Sequence, residues 1–70
     1  MNQSNWARVY STQAPYKAEI TKDVLEDEGI QSVVVDKQDT AYGGVFGEVE
    51  LYVRREDVIK AKHIIDKKEL

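Results

Sequence analysis

The chain offers few side chains that could do chemistry, and their types and spacing argue against most reactions. His63 is the only histidine and there is no cysteine. A general base needs an orienting partner and a sheltered site. His63 instead falls on the polar side of a C-terminal helical pattern, where an imidazole near a helix C-terminus is favoured electrostatically without any catalytic role. Ser11 and Thr12 stand where a helix cap is wanted, and no Ser-His-Asp set assembles around the single histidine. Asp36 and Asp39 lack the further oxygen ligands, the fixed glycine and the closing glutamate of a calcium loop. These residues predict a non-enzymatic protein with no metal and no cofactor.

The stretch most open to a binding role is "AYGGVFGEVELYV", Ala41 to Val53. Gly44 to Gly47 have a bare G-x-x-G spacing, but phosphate cradles feed the positive end of a helix, whereas this run feeds an alternating strand. The simpler reading makes the glycines turn residues of an inter-strand connection. Hairpin connections need only about two to five residues, so the length of this one calls for a reason. Tyr42 and Phe46 could cover the core as a lid or present their rings to a ligand or partner. The candidate binding residues are therefore Tyr42, Gly43, Gly44, Phe46 and Gly47.

The elements that must position these residues follow from periodicity. "WARVYST", Trp6 to Thr12, alternates as a strand, with Ala7 and Val9 on one face and Trp6, Arg8 and Tyr10 on the other. Thr12 is placed to cap a helix with Pro15 in its first turn, and Gly29 to end it. Ala18, Thr21, Val24 and Leu25 share one side of that helix, with Ile20 at the margin. "IQSVVVDK", Ile30 to Lys37, is a second strand whose facing the three valines leave open. Val49, Leu51 and Val53 alternate with Glu48, Glu50 and Tyr52 in a third strand and should be core. A last helix, from about Arg55 to Lys68, turns Val58, Ala61 and Ile65 inward with Ile59 and Ile64 beside them.

The order strand, helix, strand, strand, helix predicts a ferredoxin-like α+β fold: a three-stranded sheet in order 1-3-2 with both helices on one face. Strand one is then an edge, open to a second subunit in a homodimer or to a partner strand. Trp6, Arg8, Tyr10 and Tyr52 fall on the uncovered face as a candidate interface, aromatic with a charged rim. Rings on strands one and three also resemble an RNA-stacking platform. Glu48 and Glu50 would repel phosphates, and Arg8 is better read as their ion-pair partner. Glu26, Asp27 and Glu28 crowd the negative end of the first helix against its dipole, an acidic patch that a basic partner could use.

Seventy residues permit one domain, expected over 6–70 after a flexible 1–5, and one small core. With 41% hydrophobic and 33% charged residues the chain should fold rather than stay disordered. A net charge of -3 disfavours nucleic acid and anionic lipid as partners. No run reaches the roughly 18 to 20 apolar residues of a membrane helix, and no signal peptide opens the chain, so the cytoplasm is the default location.

Taken together, "WARVYST", "APYKAEITKDVLEDEGI", "FGEVELYV" and "REDVIKAKHII" resemble the small bacterial domains grouped as putative prokaryotic signal transducing proteins. The likeness runs from Trp6 to Ile65 and lies in the succession of landmarks rather than in any catalytic motif. It implies a ferredoxin-like fold, a signalling role and a distant relation to the nitrogen-regulatory PII proteins. In those, the loop joining strands two and three carries the interactions, which is the place of the Lys37 to Gly47 connection here. No adenine-nucleotide motif can be matched.

Overall fold

The computed structural model describes residues 5–37 and 48–70. Its elements are β1 (Trp6–Thr12), α1 (Pro15–Asp27), β2 (Ser32–Asp36), β3 (Val49–Arg54), a single 3-10 turn (Arg55–Asp57) and α2 (Val58–Lys67). The sheet has the order β1-β3-β2, and both outer strands pair antiparallel with β3. Leu25 of α1 and Ala61 and Ile64 of α2 form one core cluster with Ile30, Leu51 and Val53. Two helices on one side of a three-stranded sheet in this order is the α+β, ferredoxin-like arrangement expected from the sequence.

The central strand anchors the core because its alternation is unbroken. Val49, Leu51 and Val53 are 1%, 0% and 0% exposed, and each such side chain withdrawn from water contributes about 1.5 to 3 kcal/mol. Pairing with β3 settles the facing of β2. Ser32, Val34 and Asp36 lie opposite Val53, Leu51 and Val49 on the helix side, while Val33 and Val35 lie opposite Tyr52 and Glu50 on the uncovered side.

In β1 the sequence expectation fails at one residue. Arg8 pairs with Tyr52 but Tyr10 pairs with Leu51, so Val9 is the extra residue of a β-bulge. The insertion reverses the phase of everything after it. Tyr10 therefore lies on the helix-covered side, where it and Val9 both pack against the core cluster, and not beside Trp6 and Arg8.

Both helices end in the same backbone motif. At the end of α1, Ile30 N–H donates to Leu25 C=O at 2.9 Å and Gly29 N–H to Glu26 C=O at 3.0 Å. Gly29 takes the positive φ (84°) that this Schellman geometry requires. Leu25 and Ile30, the pair that such a turn brings into contact, are both buried. At the end of α2, Leu70 N–H donates to Ile65 C=O at 3.1 Å and Glu69 N–H to Asp66 C=O at 3.2 Å. Here Glu69 holds the positive-φ position, at 57°.

The helix starts and faces differ in detail from expectation. Ala14, not Thr12, is the N-cap of α1, and no side chain caps it. The Thr12 hydroxyl accepts from Ala14 N–H at 3.1 Å, a local turn just ahead of the helix. Ala18, Thr21 and Leu25 are its buried stripe. Thr21 is accommodated because its hydroxyl donates to Lys17 C=O at 2.8 Å. On α2, Ile64 is buried beside Ala61 whereas Ile59 is 86% exposed. Both lie within α2, where Ile59, two positions before Ala61, stands about 200° round the helix from it and faces outward.

Candidate functional site: the uncovered sheet face

The sheet face away from the helices collects Trp6 and Arg8 of β1, Glu50, Tyr52 and Arg54 of β3, and Val33 and Val35 of β2. Its middle is apolar: Trp6, Val33, Val35 and Tyr52 line a shallow hollow of about 340 Å3. Val33 stays 42% exposed there. Over the Trp6 ring lies the Arg54 guanidinium, 5.3 Å from the ring centroid, within the range of a cation–π contact. Arg54 also donates a long 3.4 Å bond to the Gln31 side-chain oxygen.

At the other end of the face, Glu50 is only 6% exposed although no helix covers it. Its own neighbours enclose it. Arg8 donates to Oε2 at 3.0 Å, Lys37 Nζ lies 3.1 Å from Oε1, and the Tyr52 hydroxyl donates to Oε1 at 2.7 Å. The Tyr52 bond, the Lys37 ammonium and then Arg8 stabilise the charged carboxylate against partial burial and hold its pKa at about 2, against an ordinary 4.5. Glu50 in turn raises the pKa of Lys37. The expected pairing of Arg8 with a strand-three glutamate is thus observed, with Glu50 as the partner.

Lys37 has a second role at the same corner. Its backbone N–H donates to Glu48 C=O at 2.9 Å, so the chain leaving β2 and the chain entering β3 are bonded to each other. The connection between them therefore departs from and returns to one point, next to Glu50. Tyr42, Gly43, Gly44, Phe46 and Gly47 lie outside the described residues.

The structure brings Trp6, Arg8 and Tyr52 together and separates Tyr10 from them. Tyr10 lines a different hollow, of about 260 Å3, with Tyr16, Ile20 and Leu70. Val33, Val35, Lys37 and Arg54 belong to the face and were not singled out from sequence. Arg54 continues the Glu50 and Tyr52 alternation of β3, whereas only the pairing register reveals Val33, Val35 and Lys37, because a run of valines does not tell which of its sides is covered. At the acidic end of α1, Lys22 Nζ reaches Glu26 at 2.9 Å and offsets part of the unfavourable charge.

For chemistry the face supplies cations, one clamped carboxylate and rings. Among the described residues no group of three or more His, Cys, Asp or Glu is placed to hold a metal ion. His63 is exposed on α2. None of the described helices is long and apolar enough to cross a membrane.

The family model for putative prokaryotic signal transducing proteins matches residues 6–69. The chain belongs to that family. The match spans all of the described secondary structure, so the uncovered face lies within the family domain rather than on an appendage. No curated protein matches the chain. No solved structure matches it either.

Proposed function

We propose that the chain is a non-enzymatic regulatory module of the cytoplasm that binds a small molecule or a protein through the connection between β2 and β3, with Tyr42, Gly43, Gly44, Phe46 and Gly47 as the contacting residues. The observation that carries this reading is the closed base of the connection. The Lys37 to Glu48 bond and the Lys37 to Glu50 ion pair fix both of its ends to the rim of the uncovered face. Membership of the family of putative prokaryotic signal transducing proteins supports it, and the resemblance to PII proteins implies an interacting loop at the same topological place. A thermal-shift screen of nucleotides, common metabolites and metal ions tests it. A ligand at about 100 times its dissociation constant stabilises the fold by about 2.7 kcal/mol, and amide resonances of 38–47 should move first. A ligand that moves only the Glu26 to Glu28 turn would overturn the assignment.

A second reading is a protein-interaction or dimerisation module that uses the uncovered face and the β1 edge. Its support is the exposed apolar centre formed by Trp6, Val33, Val35 and Tyr52, and the single neighbour of β1 among the described residues. Solution mass and Trp6 fluorescence at rising concentration separate dimerisation from recruitment of another partner. Loss of association on Trp6→Ala, with no effect from a deletion in the connection, would favour this reading over the first.

A further inference from the structure

The charges on the uncovered face are arranged around its apolar centre, and that arrangement specifies a partner. Along β3, Glu50, Tyr52 and Arg54 point to the same side, with Tyr52 in the middle. At the Arg54 end, the guanidinium sits over Trp6 and bonds only neutral Gln31, with no carboxylate partner among the described residues. At the Glu50 end, one carboxylate is shared by two cations, Arg8 and Lys37, which leaves a positive charge over. Glu48, exposed at the rim, is the only other carboxylate on that line. Among the described residues the face carries three cations, Arg8, Lys37 and Arg54, against two carboxylates, Glu48 and Glu50, while the chain as a whole carries -3.

We infer that this face docks an acidic peptide segment of a protein partner, in extended form, with one large apolar residue flanked two positions away on each side by Asp or Glu. The inference rests on the second reading above and names its occupant. Successive same-side residues of an extended strand are about 6.8 Å apart, so an acid–apolar–acid pattern spans about 13 to 14 Å, the distance from residue 50 to residue 54 on β3. The apolar residue enters the hollow among Trp6, Val33, Val35 and Tyr52. Its flanking carboxylates meet Arg54 on one side and the Arg8 and Lys37 pair on the other. A second copy of this chain fits less well, since among the described residues its own uncovered face offers more cations than carboxylates. Nucleic acid would carry a phosphate at every nucleotide past Glu48 and Glu50, whereas the peptide brings a single carboxylate to the two cations at that corner.

The test uses the full chain and a capped heptapeptide with a central Phe and a Glu two residues to each side, titrated while following fluorescence of Trp6, the only tryptophan. Binding should weaken about threefold or more between low and high salt, as screening of exposed charges requires. A peptide with Lys in place of both Glu should bind at least about tenfold more weakly. Val33→Glu, at an exposed position, should abolish binding through charge repulsion at the hollow. Arg54→Glu should reduce binding of the Glu peptide and improve that of the Lys peptide, a gain that a misfolded variant could not give. Equal affinity for the two peptides overturns the proposal, as does displacement of the Glu peptide by oligonucleotide at lower concentration than by itself. Concentration-dependent burial of Trp6 without peptide would overturn it in favour of a dimer. Binding that survives Val33→Glu but is lost on deleting 40–46 overturns it while leaving the first reading standing.

Discussion

The two helix ends provide an internal experiment. The same Schellman turn is closed by Gly29 after α1 and by Glu69 after α2, at φ 84° and 57°. A side chain in the left-handed region costs about 1 to 2 kcal/mol, because Cβ crowds the following carbonyl. Against this, a non-glycine residue loses less conformational entropy on folding, which returns about 0.4 to 1 kcal/mol. The net penalty is roughly 0.5 to 1 kcal/mol at either site. Gly29→Ala should destabilise by that amount, and since an added Cβ meets nothing within 4 Å, no steric clash enlarges it. Glu69→Gly should stabilise by a similar amount. For a domain of this size each kcal/mol moves Tm by about 4 to 8 °C, so the two variants should shift in opposite directions by about 2 to 8 °C. Urea unfolding at fixed pH, with unchanged m-value, is the assay. A neutral Gly29→Ala would show instead that the turn does not depend on the left-handed residue.

Other consequences are open to the same methods. Ser32 is 6% exposed and its Oγ has no hydrogen-bond partner among the described residues, so Ser32→Ala should raise stability by about 1 kcal/mol; a loss of that size would mean that the hydroxyl is bonded after all. Because the folded Glu50 carboxyl titrates at about 2 rather than 4.5, its contribution is complete above about pH 4.5 and is lost as pH falls toward 2. Tyr52→Phe removes the main cause of that depression and should move Glu50 titration upward, measured by carboxyl NMR; an unchanged titration would assign the depression to Lys37 and Arg8 alone. Charge reversal at Glu26 to Glu28 should raise Tm at low salt, in so far as Lys22 does not already compensate; an unchanged Tm would mean full compensation.

How legible the molecule was in its sequence depends on whether a feature was local. The unbroken alternation of Val49, Leu51 and Val53 placed β3 and its core side, and the helical spacing of Ala18, Thr21 and Leu25 placed the buried stripe of α1. Gly29 marked its helix end because only the turn geometry needs it. The side on which Tyr10 falls was misread, since a bulge at Val9 depends on the partner strand and alternation alone carries no trace of it. Facing of Val33 and Val35 likewise awaited the register with β3. Lys37 and Arg8 converge on Glu50 from β2 and β1, an assembly that exists only once both strands flank β3. The site was thus half visible: Trp6, Arg8 and Tyr52 by residue type, their apolar floor and second cation only through pairing.

Both proposed recognition sites, the uncovered face and the connection between β2 and β3, adjoin at the Lys37 and Glu48 corner. Backbone amide and indole N–H shift mapping on the full chain tests this most directly, with the Glu-flanked Phe peptide and then each stabilising compound from the thermal-shift screen as titrant. The first signals to move should be the Trp6 indole, Val33 and Tyr52 with the peptide, and residues 38–47 with a small-molecule ligand. Shifts confined to α2 or to the Glu26 to Glu28 turn would contradict both assignments.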